Sequence, residues 1–346
     1  MKITHIVPGL DDPTCGIAVA AKMVARRQSA LGKNVECIDF REWTRQQIAD
    51  AEEVWVHSMW TPGVMRAAWT ALRLRKKLVR MPHGCMDPVK RRHRWWKKMW
   101  VTPIERWLFA RSDMVVATCL DEVEWVQKFE AKIKNVELLS LGDGASDKPL
   151  EDVHNPLRLL FVGRLHPLKG VEFLLEAMRC FLTQGCRGAE PQSLELRVIG
   201  KDEGEGDKLR QMATEYGLNV EFCGVVSEEE KEKEWEWCDV LVLPTLSENF
   251  GLVVAEALER GKRVITTDGA PAWGSGELKV ESGECLAAKD AKGAKRDVGR
   301  IDRVEGGVFS DYGGRLLYLK GYRDGTREIK VELLKKGIEI FARQGE

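Results

Sequence analysis

Two glutamates, Glu248 and Glu256, stand with seven residues between them in the stretch Leu243-Pro-Thr-Leu-Ser-Glu-Asn-Phe-Gly-Leu-Val-Val-Ala-Glu. The apolar run 239–243 reads as a buried strand, the polar residues after Pro244 as a loop, and 251–260 as a helix that Gly261 closes. A loop that opens a helix at the carboxyl end of a buried strand is an anion site, because backbone N–H groups and the helix dipole point at the ligand. One carboxylate in the loop and another a turn into the helix add two acceptors for hydroxyl groups. Phosphate and hydroxyl recognition side by side fit a phosphorylated sugar ligand, a nucleotide sugar above all.

Cations come from a second segment, Phe161-Val-Gly-Arg-Leu-His-Pro-Leu-Lys-Gly170. Arg164 offers a planar fork and Lys169 a point charge, a combination that neutralises a diphosphate leaving group. A lone Arg/Lys pair is more often a solvated surface pair; here both follow a predicted strand. A third strand end carries Met81-Pro-His-Gly84, where His83 can bond a sugar hydroxyl or a phosphate. Its bland reading is a structural hydrogen-bonder, and His57 is an equally placed rival. Gly16 follows the first predicted strand, where it lets the backbone approach a phosphate or serves a turn alone.

The elements that must hold these groups alternate. Strands are predicted over 3–7, 34–39, 54–57, 77–80, 113–117 and 136–139, with helices over 17–31, 63–75 and 103–111 and from 121. The pattern restarts with strands over 157–162, 194–199, 220–223, 240–243 and 263–266 and helices over 170–181, 207–216, 227–238 and 251–260. Such alternation specifies an α/β fold of two parallel-sheet, Rossmann-like domains. The expected division is 1–150, 151–326 and a C-terminal helix over 327–346 that packs back on the first domain. A length of 346 residues fits two cores. Residues 287–325, rich in Gly and charge, carry no readable pattern.

Composition narrows the class. The chain is 44% hydrophobic and 31% charged, with no apolar run of the roughly 20 residues a spanning helix needs. The nine Cys are odd in number and contain no C-x-x-C pair, which predicts reduced thiols in a cytosolic protein and no zinc site. The N-terminus is too short in apolar residues for a signal peptide and reads as a strand. Net charge is zero, yet residues 1–150 hold 25 Lys and Arg against 18 Asp and Glu, and the remainder is acidic by the same margin. Between 66 and 111 there are 14 basic residues against Asp87 and Glu105 alone. Within that stretch, segment 90–107 interleaves cations with Trp95, Trp96, Trp100 and Trp107, a composition suited to an anionic membrane surface. The competing readings are a solvated basic helix with its Trp side chains in the core, and single-stranded nucleic acid. No RNA-binding motif supports nucleic acid, which is not expected as a partner.

Together these residues resemble the retaining glycosyltransferases of family four, with the two-domain GT-B architecture, in order over residues 1–286. The E-x7-E spacing of Glu248 and Glu256, with Phe250-Gly251 inside it, is the most specific part, followed by Val162-Gly-Arg-Leu-x3-Lys-Gly170. Pro82-His-Gly-Cys-Met-Asp87, the basic Trp-containing stretch and Ala110-Arg-Ser-Asp113 are similar to members that build lipopolysaccharide and exopolysaccharide. Ala270-Pro-Ala-Trp273 also has its counterpart there. The resemblance implies that Arg164 and Lys169 hold the donor diphosphate, that Glu248 touches the donor sugar and that Glu256 accepts from the ribose hydroxyls. It implies sugar and phosphate contacts from the backbone of Phe250, Gly251 and Leu252, and contact with the base near Val225. Gly16 meets the diphosphate from the other domain, and His83 sits near the donor sugar. The family's double-glycine loop is reduced here to one obvious candidate, Gly16. No cofactor or bound metal is implied; a UDP- or GDP-sugar is the donor substrate and a glycan or glycolipid the acceptor. The implied setting is cytoplasmic, at the inner face of the membrane. Two alternatives stay open: a nucleotide-sugar epimerase or phosphorylase of the same fold, and a non-catalytic protein that binds membranes or polyanions.

Overall fold

The structure is a computed structural model that describes residues 1–12, 14–92, 95–133, 135–142, 148–184, 193–274, 286–287, 300–304, 307–312 and 315–343. The chain forms two compact units, Met1–Asp143 with Glu277–Ala294, and Gly144–Gly276 with Lys295–Glu346.

In the first unit the elements run β1 (Lys2–Val7), α1 (Gly16–Ala30), β2 (Asn34–Asp39), α2 (Arg45–Asp50), β3 (Glu53–His57), α3 (Pro62–Arg73), β4 (Lys77–Met81), α4 (Pro88–Arg92), α5 (Trp95–Phe109), β5 (Met114–Ala117), α6 (Leu120–Phe129) and β6 (Val136–Leu138). Their sheet has the order β6-β5-β4-β3-β1-β2 with every pair parallel, and a two-residue strand, Leu286–Ala287, lies antiparallel beside β6. All five residues of β3 are buried. That is the mark of a strand covered on both faces by helices. Ile6, Val54, Val56, Val64, Ala67, Ala71 and Leu78 form one core layer between the sheet and α3. The short α2 is set by a capping box in which Thr44 and Gln47 bond each other's backbone.

The second unit holds β7 (Leu157–Val162), α7 (Val171–Gln184), β8 (Leu194–Ile199), α8 (Gly206–Glu215), β9 (Asn219–Gly224), α9 (Glu228–Trp237), β10 (Val240–Leu243), α10 (Leu252–Glu259) and β11 (Arg263–Thr267). The sheet runs β9-β8-β7-β10-β11, then the strand Leu316–Lys320, all parallel, and ends in the antiparallel strands Gly307–Tyr312 and Arg300–Val304. Strand order reverses between β7 and β10. Loops part at such a switch point and leave a crevice at the carboxyl ends of the strands.

The two Rossmann-like sheets agree with the α/β expectation. Two details differ from it. The stretch 287–325 contains three strands of the second sheet, which its Gly and charge content hid. The short α2 was not expected. The last helix, Arg327–Ala342, belongs to the second unit, where it lies against α7 and β11. It buries Val331, Leu333, Leu334, Ile338 and Phe341 there, and its Gly337 packs on Ile265, where a Cβ would stand 3.3 Å from the isoleucine side chain. Among the described residues no helix is long and apolar enough to cross a membrane.

Candidate functional site

In the second unit the loops after β7 and β10 are stitched together. Leu168 O accepts from Leu246 N at 2.8 Å and from Thr245 Oγ1 at 3.1 Å. Gly170, at φ +68°, passes so close to Pro244 that a Cβ would stand 2.1 Å from its carbonyl oxygen. This position needs glycine on both counts, conformation and space. Tyr322 OH closes the arrangement by donating to the same Pro244 carbonyl at 2.9 Å. The consequence is chemical: Lys169 and Glu248, 79 residues apart, meet as an ion pair, with side chains 12% and 23% exposed.

Glu248 is held from behind, its N–H donating to Gly269 O at 2.6 Å. Three residues on, Gly251 enters the left-handed region at φ 71° and begins α10. No side chain caps this helix, and no acid occupies its first turn. The first N–H groups of α10 are therefore without a side-chain cap, the usual arrangement of an anion-binding helix start, although Val254 N donates to Gly251 O at 2.9 Å. Phe250 is buried behind the loop, its ring centroid 5.3 Å from that of Trp273. Phe250, Gly251 and Leu252 thus lie at the helix start.

Arg164 lies on the same β7 loop, half-exposed. Leu165 pairs across to the β8 loop, with Leu165 N donating to Lys201 O at 2.8 Å and Glu203 N donating to Leu165 O at 3.1 Å. This zipper brings Glu203 to Arg164, whose Nη1 donates to both carboxylate oxygens at 3.0 and 2.8 Å. Glu256 is on α10 with its Oε2 2.6 Å from Lys231 Nζ, an ion pair without hydrogen-bond alignment. Glu203 and Lys231 were not singled out in the sequence. Both sit in charge-rich stretches where nothing marks one residue among its neighbours. Val225 follows β9 and is exposed; it lies two strands away from β7 in the sheet order.

The remaining candidates belong to the first unit. Gly16 opens α1, is exposed, and has open space where a Cβ would stand. Its φ is not in the left-handed region, so no turn demands glycine here. His83 is buried just past β4, in the left-handed region at φ 52°, followed by Gly84 at φ 69°. Ser58 and Trp60, past the neighbouring β3, have φ of 69° and 72°. Non-glycine residues in this region cost of order 1 kcal/mol each and cluster where a site over-determines them. The buried Glu122 holds the His83 turn: it accepts from Gly84 N, and from Thr118 N and Oγ1 at 2.8 and 3.0 Å. Burial pushes its carboxyl up, against those bonds.

His83 and its rival His57 are parts of one row. His57 Nδ1 lies 2.8 Å from His83 Nε2, and His57 Nε2 lies 2.9 Å from His5 Nδ1. Desolvation lowers all three: His5 to about 4, His83 to about 3, and His57 well below the ordinary range. For a depressed histidine the unfolded chain takes up protons first. The stability is whole above pH 6.5 and is lost as pH falls toward the folded value. For His5 alone the shift amounts to about 3 kcal/mol. Unfolding midpoints at pH 7 and pH 4.5 are therefore expected to differ, and to differ less in His5→Phe. Equal losses in both proteins contradict it.

Segment 90–107 forms part of α4 and α5. Trp96, Met99, Trp100, Ile104 and Trp107 are exposed, Trp100 to 77%. Trp96, Trp100, Ile104 and Trp107, spaced by four, four and three residues, lie on one stripe of α5, with Met99 at its edge. Trp69 of α3 is also exposed and stacks on Trp107 with ring centroids 5.0 Å apart. The core reading therefore fails for these Trp residues.

Comparison with known proteins places both halves. Residues 16–178 match the family described as Glycosyltransferase Family 4, and residues 143–300 match Glycosyl transferases group 1. Each match covers just under half of the chain, and together they span residues 16–300. A D-inositol 3-phosphate glycosyltransferase of Nocardioides sp. is 32% identical over 181 residues, covering 44% of this chain and 38% of that protein. One of Streptomyces avermitilis is 30% identical over 179 residues, covering 46% and 38%. The match thus spans under two fifths of these relatives' length. Among solved structures, WaaG, a glycosyltransferase involved in lipopolysaccharide biosynthesis, is similar with TM-score 0.60 at 15% identity over 100% of this chain and 94% of that one. Sucrose-phosphate synthase of Thermosynechococcus elongatus gives TM-score 0.59 at 16% identity over 100% and 95%. Anabaena HepE gives 0.58 at 18% identity over 78% and 82%. These likenesses show the GT-B fold.

Proposed function

We propose that the chain transfers a sugar, with retention, from a nucleoside-diphosphate sugar to a glycan or glycolipid hydroxyl in the making of cell-surface polysaccharide or lipopolysaccharide. The observation that carries this reading is the Lys169–Glu248 pair at the switch point of the second sheet, beside an uncapped helix start. A bound diphosphate there takes the Lys169 ammonium, the Arg164 guanidinium and the first N–H groups of α10. That set neutralises the charge developing on the leaving oxygen without a metal. Glu248 is then free to accept from a sugar hydroxyl, and Glu256 from the ribose. The departing diphosphate oxygen takes the acceptor's proton on the face it leaves, which keeps the anomeric configuration. HepE, similar in fold, was solved with UDP and glucose; UDP and GDP are the donor nucleotides we favour.

We assign the acceptor to the first unit. A cavity of about 520 Å³ there is lined by Trp60, Arg91, Lys98, Met99 and Thr102. Apolar walls with two cations suit an acceptor that has an anionic group and a greasy part. The exposed Trp stripe of α5 supplies an anchor to an anionic membrane surface at the cytoplasmic face, with each cation contributing about 1 kcal/mol. The curated relatives are named for inositol 3-phosphate, a small anionic acceptor, which the same cations would also hold. A thermal-shift screen with UDP-, GDP- and ADP-sugars tests the donor assignment: one base should raise the melting temperature, since a ligand bound only to the folded state stabilises it. A flat response to all three contradicts it.

A further inference from the structure

The histidine row of the first unit has a start and an end. His5 is on β1, His57 closes β3, and His83 follows β4, so the row crosses three neighbouring parallel strands. Successive rings are nearly parallel, at 24° and 25°, which lets ring nitrogens face each other in line. At the start stands Gln28 of α1, buried, with its Oε1 2.7 Å from His5 Nε2. At the end, His83 Nδ1 has no partner among the described residues and is not one of their fully enclosed unpartnered atoms. It is the end open to a ligand.

A neutral imidazole has one donor and one acceptor nitrogen. Three neutral rings in series can therefore be hydrogen-bonded in only two ways, all pointing one way or all the other. The Gln28 carbonyl oxygen only accepts. His5 must then carry its proton on Nε2 and leave Nδ1 as a lone pair. That lone pair accepts from His57 Nε2–H, and His57 Nδ1 accepts in turn from His83 Nε2–H. Burial keeps all three rings neutral, as the row requires.

We propose that Gln28, acting through His5 and His57, holds His83 in the Nε2–H tautomer and so presents His83 Nδ1 as a hydrogen-bond acceptor to a hydroxyl of a sugar ligand held by the first unit. Gln28, His5 and His57 are positioning residues. The sugar contact rests on the sugar transfer proposed above; the ordering of the row does not. The device works at a distance of two rings because a single reversed bond anywhere would leave two donors or two lone pairs facing each other, which a buried site penalises.

The test is a two-bond proton–nitrogen correlation spectrum of the full chain labelled with 15N at histidine, in wild type and Gln28→Met. Wild type should show pyrrole-type Nε2 and pyridine-type Nδ1 for all three residues. In Gln28→Met the His83 signals should move toward a mixture. With the donor sugar found in the thermal-shift screen, kcat/KM should fall about tenfold, the worth of one hydrogen bond, while binding of the free nucleoside diphosphate is unchanged. A protonated Nδ1 on wild-type His83 overturns the proposed polarity. An unchanged tautomer pattern in Gln28→Met overturns the role of Gln28. A changed pattern with unchanged turnover keeps the ordered row and overturns the sugar contact of His83. If Gln28→Met does not fold, the wild-type spectrum alone still decides the polarity.

Discussion

Lys169→Ala should lower kcat about a hundred- to a thousandfold, the usual cost of removing one group that stabilises charge in a transition state. The argument is one of place. Lys169 is 12% exposed and its carboxylate partner, Glu248, 23%, so the ammonium is partly dehydrated before any ligand arrives. A charge held that way is worth more to a developing anion than one in bulk water. The cost to folding should be small, about 1 kcal/mol or less, since Glu248 retains access to water. Lys169→Ala and Glu248→Gln should also couple, because each removes the other's partner. Arg164→Ala should act in the same direction. Steady-state kinetics beside a melting curve separate the two effects, and a large loss of stability with normal turnover in the surviving fraction would falsify the assignment.

Glu105→Gln should cost about 3–5 kcal/mol of stability, because it strands a buried charge. Arg80 Nη2 and Glu105 Oε2 are 3.0 Å apart, with both side chains 0% exposed. Glu105 also accepts from Trp60 N at 2.8 Å, and Arg80 donates to Ser58 O at 3.3 Å. The rest of the guanidinium lies on Phe109, its carbon 4.2 Å from the ring centroid. Without Glu105 the positive charge keeps only a carbonyl and an aromatic face. The pair thus fastens the two left-handed residues past β3, beside His57, and its loss should loosen the end of the histidine row. A fall in melting temperature of about 10 °C is expected at 2–4 °C per kcal/mol. Replacing both partners, Arg80→Met with Glu105→Leu, should recover much of it. A single variant as stable as wild type would show the pair to be dispensable.

Most of the framework was legible from the sequence. Buried parallel strands are near-continuous apolar runs, and Leu241, Val242 and Leu243 announce themselves without help from any partner. The E-x7-E spacing and the cations before Gly170 marked the strand ends that matter. What stayed hidden depended on strand order. Lys169 reaches Glu248 only because β7 and β10 are neighbours in the sheet, and no periodicity encodes which strands pair. The same holds for Arg164 with Glu203 and for Glu256 with Lys231. The histidine row is the extreme case: His5, His57 and His83 are far apart in sequence, and only the β4-β3-β1 order aligns them. Amphipathicity gave the last helix an apolar face but not the surface it would cover. The strand Leu316–Lys320 was missed because the charged, Gly-rich sequence before it masked five residues of plain strand character. Exposure of Trp96, Trp100 and Trp107 was also beyond the sequence, since Trp at helical spacing suits a core as well as a surface.

The central claim is that the loops after β7 and β10 bind a nucleoside diphosphate through Lys169 and Arg164. Calorimetric titration of UDP, GDP and ADP into wild type, Lys169→Ala and Arg164→Ala tests it directly. At least one nucleotide should bind wild type with a Kd between about 1 μM and 1 mM. Each substitution should weaken that binding about tenfold or more, as the loss of a charge-assisted hydrogen bond to phosphate requires. Equal affinity in all three proteins, or no binding of any of the three nucleotides, would contradict the account.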